Sequence, residues 1–424
     1  MLYLPEILFI MYKRLVSEEW DFKTANTKEY THCYHSYPAM MIPQVARKLL
    51  HDYAPEGKFE TVFDPYMGSG TTLVEASIIG KKSFGTDINP LAEFISSVKT
   101  THYDISIMKK AFNNLQNELF LFTPEKVINT NFTHITSCDF WYSQENLIKL
   151  SYLTQIIDNI DSNIADFFRI ALSEVVREVS FTRNGEFKRF KMSEESIKNF
   201  YPDTFRLFEE KVHRNLRGLK EYNSAAPNGK AIICNFNSSI NIPSDVIPDG
   251  SVDIVVTSPP YGDSRTTVAY GQFSRWANEW FKFDNAKNLD SLLMGGKKSD
   301  EPKFNTISIR KELENIDSKE HKRYLEVISF LNDYSDSINN VSKSIRIGGR
   351  LCYVVGNRTV KGVQIPLDYF TAEMFEANGF EHDITIVRRI PNKRMPTKTS
   401  PTNEPGKKVG TMSNEYIVIM TKTH

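Results

Sequence analysis

A doubly wound α/β sheet carrying a largely helical insertion is the fold this sequence predicts. Three observations lead there. The stretch "FETVFDPYMGSGTTLVEASIIGKKSFGTDINP" reads as strand, glycine turn, helix and strand. Five apolar runs of strand length follow much later: "KAIICNF", "SVDIVVTSPPY", "GGRLCYVVGN", "ITIVRRI" and "EYIVIMTK". Between these groups, residues 91 to about 229 are mostly helical in pattern and poor in Gly and Pro. Strands that alternate with helices form parallel sheets covered on both faces.

Taken in order, the apolar start "MLYLPEILFIMYKRL" lacks a basic leader and a small-residue cleavage site, so it is expected to pack on the body as a strand or helix. "HSYPAMMIPQVARKLLHDY" has helical apolar spacing after Pro43. The expected division is 1–90 for the first part of a catalytic domain, 91–229 for the helical insertion, and 230–424 for the rest of the catalytic domain. Within the insertion, "SFTRNGEFKRFKM" alternates aromatic and basic residues about Asn184-Gly185, a pair that favours hairpin turns. Residues 282–325 are charged and irregular, and "MGGKKSDEPKF" is expected to be an exposed loop. The closing runs "ITIVRRI" and "EYIVIMTK" are expected to form a hairpin-like sheet edge joined by a long loop, 388–411.

Composition narrows the classes. The chain has 424 residues, 40% hydrophobic and 25% charged, which suits a packed soluble core. No apolar run reaches the length of a membrane span. Cys33, Cys138, Cys234 and Cys352 lie far apart with no paired metal-ligand spacing, so no metal is expected and a reducing, cytoplasmic setting fits. Lys+Arg and Asp+Glu both number 52, so a polyanion would have to be met by local basic patches.

The glycine turn has the marks of a ligand loop. Gly68 and Gly70 permit a tight turn and close backbone approach, and Thr71 and Thr72 open a helix whose amides face a polar group. Asp87 stands 17 residues beyond Gly70, where a carboxylate at a strand end accepts ribose hydroxyls. No Lys follows the second glycine and the turn is shorter than a dinucleotide fingerprint, so a nucleoside-type cofactor without pyrophosphate fits best. The bland alternative is a turn that only joins strand to helix.

The second motif is "TSPPY". Pro259 and Pro260 end a strand that contains Val252, Ile254 and Val255, and they form a stiff, extended platform. Ser258 adds a hydroxyl and Tyr261 a flat face. Together these suit gripping a planar base taken out of its stack. The bland alternative is a strand stop with an incidental serine.

With both motifs in view, the chain resembles the S-adenosylmethionine-dependent amino-methyltransferases of DNA. "FDPYMGSGTT" resembles the family's cofactor loop, "GTDINP" its ribose-binding acid, "TSPPY" its catalytic tetrapeptide and "YHSYPAMMIPQ" its upstream cofactor segment. The resemblance covers under half the chain, with the cofactor loop ahead of the tetrapeptide. It implies a Rossmann-like methyltransferase sheet and S-adenosylmethionine as cofactor. It implies cofactor contacts from Tyr37, Pro38, Ala39, Phe63, Asp64, Tyr66, Gly68, Ser69, Gly70, Thr71, Thr72, Asp87 and Asn89. The acid often found near the cofactor's adenine is replaced by amides, Asn235 and Asn237, and Asn237 is the residue assigned that contact.

The resemblance also implies direct in-line transfer, in which the exocyclic amine of a flipped base attacks the sulfonium methyl. Ser258, Pro259, Pro260 and Tyr261 are the implied catalytic set, with hydrogen bonds from the amine to Ser258 and the Pro259 carbonyl and Tyr261 stacked on the base. No cysteine follows a proline, so the nucleophile of carbon-5 methylation is absent. A serine first in the tetrapeptide leans towards cytosine N4; adenine N6, methylation of RNA and a non-catalytic DNA-binding role are the alternatives. The partners implied are double-stranded DNA and a cognate restriction endonuclease, with no membrane.

For DNA contact the expected residues are Arg265 and Tyr270 beyond the tetrapeptide, Arg183 and Lys188 in the insertion, and Arg389, Lys393 and Arg394 in the run "RRIPNKRMPTKTSPTNEPGKK". Arg388 is counted in the same basic run. "GDSRTTVAYGQFSRW" reads equally well as a nucleic-acid surface or as an amphipathic helix burying Phe273 and Trp276.

Overall fold

The structure is a computed structural model that describes residues 12–55, 57, 59–183, 185–263, 268–390, 398–399, 409–410 and 413–424. Eight strands form one mixed sheet: β1 (Arg14–Val16), β2 (Thr61–Asp64), β3 (Lys82–Thr86), β4 (Ala231–Cys234), β5 (Val252–Thr257), β6 (Ile345–Val355), β7 (Phe380–Arg389) and β8 (Asn414–Lys422). Their spatial order is β1-β7-β8-β6-β5-β2-β3-β4. All neighbours pair in parallel except β8, which runs antiparallel to both β6 and β7. The central strands β2 and β5 are apolar on both faces, as expected when helices cover each side.

The chain turns from β2 outwards to β3 and β4, and then returns through β5 to β6. The carboxyl ends of β2 and β5 therefore lie side by side at the point where the order reverses, which is where open α/β sheets bind ligands.

Two expectations for the ends of the chain are modified. "ITIVRRI" and "EYIVIMTK" do pair antiparallel, with Asn414 opposite Arg389, but they do not make the edge. β8 is inserted between β6 and β7, and the edge is taken by β1 from the lead-in segment. Of the lead-in, residues 1–11 lie outside the described residues; Arg14–Val16 is the strand, with Arg14 paired to the buried Asp368 at 2.7 Å.

The helical region contains Pro90–Thr100, Ile105–Phe120, Gln144–Asp158, Ser162–Glu178 and Thr204–Ser224. Each of the last four has an Asp or Ser N-cap whose side chain accepts a first-turn amide. Their inward faces share one apolar cluster with Trp276 and Trp280 of the helix Tyr270–Trp280, so the segment after "TSPPY" is built into the helical layer. The expected hairpin about Gly185 is reduced to one antiparallel bridge, Thr182 with Lys191, and Asn184 lies outside the described residues.

The segment 282–325 is more ordered than its composition suggests. It contains the helix Arg310–Lys319, and its backbone amides at Gly295, Ser299 and Lys303 donate to Asp333, Ser329 and Asn332 on the helix His321–Ser344. Only part of "MGGKKSDEPKF" is exposed: Met294 is buried, whereas Lys297 and Lys298 point outwards. No helix among the described residues is long and apolar enough to cross a membrane.

Candidate active site

The loop after β2 is held by its own backbone. Gly68 and Gly70 have φ of 47° and 71°, a region that disfavours side chains. A Cβ on Gly70 would also come within 2.8 Å of the Ser96 hydroxyl, so glycine lets the helix Pro90–Thr100 approach. The amide of Gly68 donates to one Asp87 carboxylate oxygen at 3.1 Å, and that of Asn89 to the other at 2.9 Å. Burial pushes the Asp87 carboxyl up to about 6, against the pull of these backbone bonds. Beneath the turn, the buried Lys99 ammonium donates to the Ser69 carbonyl at 2.6 Å.

Asp64 closes β2 and joins the two strand ends. Its carboxylate accepts from the Thr257 hydroxyl of β5 at 2.5 Å and from the Tyr66 amide at 3.2 Å. Burial raises it, too, to about 6.

A cavity with about 850 Å3 of empty space, partly open to solvent, lies over these ends. Its walls include Tyr37, Pro38, Ala39, Asp64, Tyr66, Gly68, Ser69, Thr71, Asp87 and Asn237, all expected from the sequence. Four other expected residues support the wall from behind. Phe63 points to the opposite face of β2, into the core. Gly70 caps the following helix. The Thr72 hydroxyl is spent on the Val256 carbonyl at 3.0 Å. Asn89 caps Pro90–Thr100 and donates to the Tyr37 and Ser274 hydroxyls, each at 2.8 Å. Asn237 reaches the cavity, but its side-chain oxygen accepts from the Ser239 amide and hydroxyl, at 3.0 and 2.8 Å. Phe236, Ser238, Leu293 and Met294 also form the wall and were not expected from the sequence. The last two come from the charged segment 282–325, and Met294 opens the stretch expected to be an exposed loop; an apolar pair in a charged stretch was the available signal.

Ser258 and Pro260 line the same cavity, while Pro259 is buried behind them. Tyr261 lies outside the wall. Its hydroxyl is 3.1 Å from the Ser258 hydroxyl and donates to Glu415 on β8 at 3.1 Å. Burial and the neighbouring carboxylate hold this phenol well above its usual range, so it stays protonated. Tyr270 is also placed in the cavity wall, its ring 5.9 Å from that of Tyr37, rather than on an outer DNA-facing surface.

Comparison with known proteins shows the family. Residues 11–99 match the N6_N4_Mtase family, described as DNA methylase. The chain is 38% identical over 423 residues to the type II methyltransferase M.MvaI of Kocuria varians, which covers 94% of this chain and 92% of that protein. The chain belongs to the N6/N4 DNA methylase family. This methylase is also 20% identical to the type II methyltransferase M.BsoBI of Geobacillus stearothermophilus, over 84% of this chain and 80% of that one. Among solved structures it is similar to a putative DNA modification methylase of Thermus thermophilus complexed with S-adenosyl-L-methionine, at 21% identity and TM-score 0.21, over 42% of this chain and 52% of that chain.

The methylase is an S-adenosylmethionine-dependent enzyme, and the donor set in its cavity fits that cofactor. A carboxylate oriented by two amides, an unsubstituted backbone turn and apolar walls suit a nucleoside that carries a cationic sulfonium tail.

The basic residues divide. Arg183 is exposed and only loosely paired with Glu186 at 3.7 Å, and Lys188 is half-buried. Arg389 is exposed, 3.6 Å from Glu18. Its neighbour Arg388 is not a surface cation: it is buried, paired with Glu415, and donates to the Trp20 carbonyl at 2.7 Å. Arg265, Lys393 and Arg394 lie outside the described residues. In the helix Tyr270–Trp280 the amphipathic reading prevails, since Trp276 is fully buried and Arg275 pairs with the buried Glu279 at 2.5 Å.

Proposed function

We propose that this methylase transfers a methyl group to the exocyclic N4 of a cytosine flipped out of a specific duplex site, as the modification partner of a restriction endonuclease in the cytoplasm. The observation that supports the reading is Ser258 in the cavity wall, at the end of β5 and beside the end of β2. The type II designation of both curated relatives supports the restriction–modification setting.

S-adenosylmethionine, when bound, supplies an electrophilic methyl group. Asp87 would hold the ribose hydroxyls, the backbone about Gly68 and Ser69 would line the cofactor's path, and Phe236 and Asn237 would hold its base, all of them being in the cavity wall. The amine of the target base is a weak nucleophile because its lone pair is delocalised into the ring. Ser258 and the Pro259 carbonyl accept its two N–H bonds and favour a tetrahedral nitrogen whose lone pair faces the methyl. Proline suits these positions because it has no amide proton to compete for those acceptors. Pro260 forms part of the cavity wall, Tyr261 supports Ser258 from outside it, and Arg183, Lys188 and Arg389 meet phosphates.

Digestion of duplex DNA to nucleosides, after incubation with labelled cofactor, tests the reading by mass. N4-methylcytosine is the expected product. N6-methyladenine would keep the site and overturn the base, and label confined to RNA would overturn the substrate.

A further inference from the structure

The tetrapeptide is connected to two residues that the family motifs do not include. Behind Ser258 runs a line of polar groups: Ser258 hydroxyl, Tyr261 hydroxyl, Glu415 carboxylate and Arg388 guanidinium. Both spacings between the oxygens are 3.1 Å. The far end is rigid, because Arg388 is 4% exposed and donates from its Nε to the Trp20 carbonyl at 2.7 Å. Neither group at that end lies in the cofactor cavity.

A hydroxyl between two neighbours can point either way, but an ionised carboxylate only accepts. Glu415, paired with the Arg388 guanidinium, therefore accepts the Tyr261 hydrogen bond. The Tyr261 oxygen is then available to receive the proton of Ser258. That leaves the Ser258 oxygen with lone pairs towards the cavity, where an amine N–H must be accepted. Without Glu415 the tyrosine can donate to Ser258 instead, and the serine is then free to turn its proton towards the amine, the wrong polarity for the reaction.

We propose that Glu415, anchored by Arg388, is a positioning residue that sets the hydrogen-bond direction of Ser258 through Tyr261. This rests on the reading of Ser258 as the acceptor for the target amine. The role concerns orientation alone; Glu415 touches neither the cofactor loop nor the cavity.

The test uses the full chain, saturating S-adenosylmethionine, duplex substrate and single-turnover methyl transfer. Ser258→Ala is measured first: unchanged transfer there overturns the reading of the tetrapeptide itself. Given a loss with Ser258→Ala, Glu415→Gln is expected to slow transfer about tenfold or more, with cofactor Kd and DNA KM within about twofold. Tyr261→Phe leaves the Arg388–Glu415 pair intact and is expected to slow transfer to a similar extent. The double variant is expected to be no slower than the worse single one, because both break the same line. Wild-type transfer in Glu415→Gln, additive losses in the double variant, or loss of cofactor affinity in step with rate would each overturn the proposal. If Glu415→Gln does not fold, Tyr261→Phe decides: slowed transfer with unchanged cofactor Kd supports the line, and wild-type transfer overturns it.

Discussion

At the end of β2 the cofactor loop is shaped by contacts local in sequence: Gly68 and Asn89 amides on Asp87, a left-handed glycine pair, and a lysine drawn from the next helix. At the end of β5, a few ångströms across the sheet, the tetrapeptide is held by side chains instead, with a partner 154 residues away. One end uses backbone geometry, which is stiff and disfavours a Cβ. The other uses a chain of rotatable hydroxyls whose direction is imposed from outside. The contrast suits the tasks. A cofactor that is bound in one pose benefits from a preformed cradle, whereas a reacting amine needs an acceptor of defined polarity.

Substitutions sharpen or break this contrast. The largest effect is expected for Ser258→Ala, with methyl transfer slowed by about 10²–10³ while S-adenosylmethionine binding, read by calorimetry, is retained. Loss of binding and rate together would mean that the two ends are not separable. Next comes Asp87→Asn, which keeps the shape but removes the charge. Cofactor affinity is expected to fall by about tenfold or more at pH 8. The Asp87 carboxyl sits at about 6, so it is ionised at pH 8 and neutral at pH 5. Wild-type affinity should therefore weaken as pH drops through 6, and the gap between wild type and variant should close. Asp64 titrates in the same range and is common to both proteins, so the gap isolates Asp87.

A smaller effect follows for Gly68→Ala. The residue has φ of 47°, and the new methyl would sit 3.4 Å from the Tyr37 ring, so ~1–2 kcal/mol of strain is expected, read as a lower melting temperature and weaker cofactor binding. The smallest belongs to the DNA side. Arg389→Ala should lower the slope of log affinity against log salt by about one, with little change in transfer once DNA is saturating. An unchanged slope would remove Arg389 from the phosphate contacts.

Legibility in the sequence follows the same contrast. "FDPYMGSGTT" and "GTDINP" were readable because the loop is made by neighbours in sequence, and most of their residues stand in the cavity wall. Alternation sets Phe63 apart from them: it precedes Asp64 on a strand, so its side chain faces the other way. Alternation also separates Arg388 from Arg389. In a run rich in Lys and Arg both look like surface cations, yet on β7 one enters the protein and the other leaves it. Glu415 gave no local sign beyond a lone charge at the head of an apolar strand. Its meeting with Tyr261 depends on β8 slotting between β6 and β7, a long-range outcome no short motif records.

That insertion orders events during synthesis. The glycine turn and the Asp87 end of the cavity draw on β2, β3 and the helices beside them, all within residues 61–100, and these can associate while later segments are still being made, whereas Phe236, Asn237 and Ser258 join the wall later. β6 and β7 have no direct ladder until residues 414–422 arrive to bridge them. A growing chain would thus build the glycine turn early, the rest of the cavity wall as residues 236–294 arrive, and the line from Ser258 to Glu415 last.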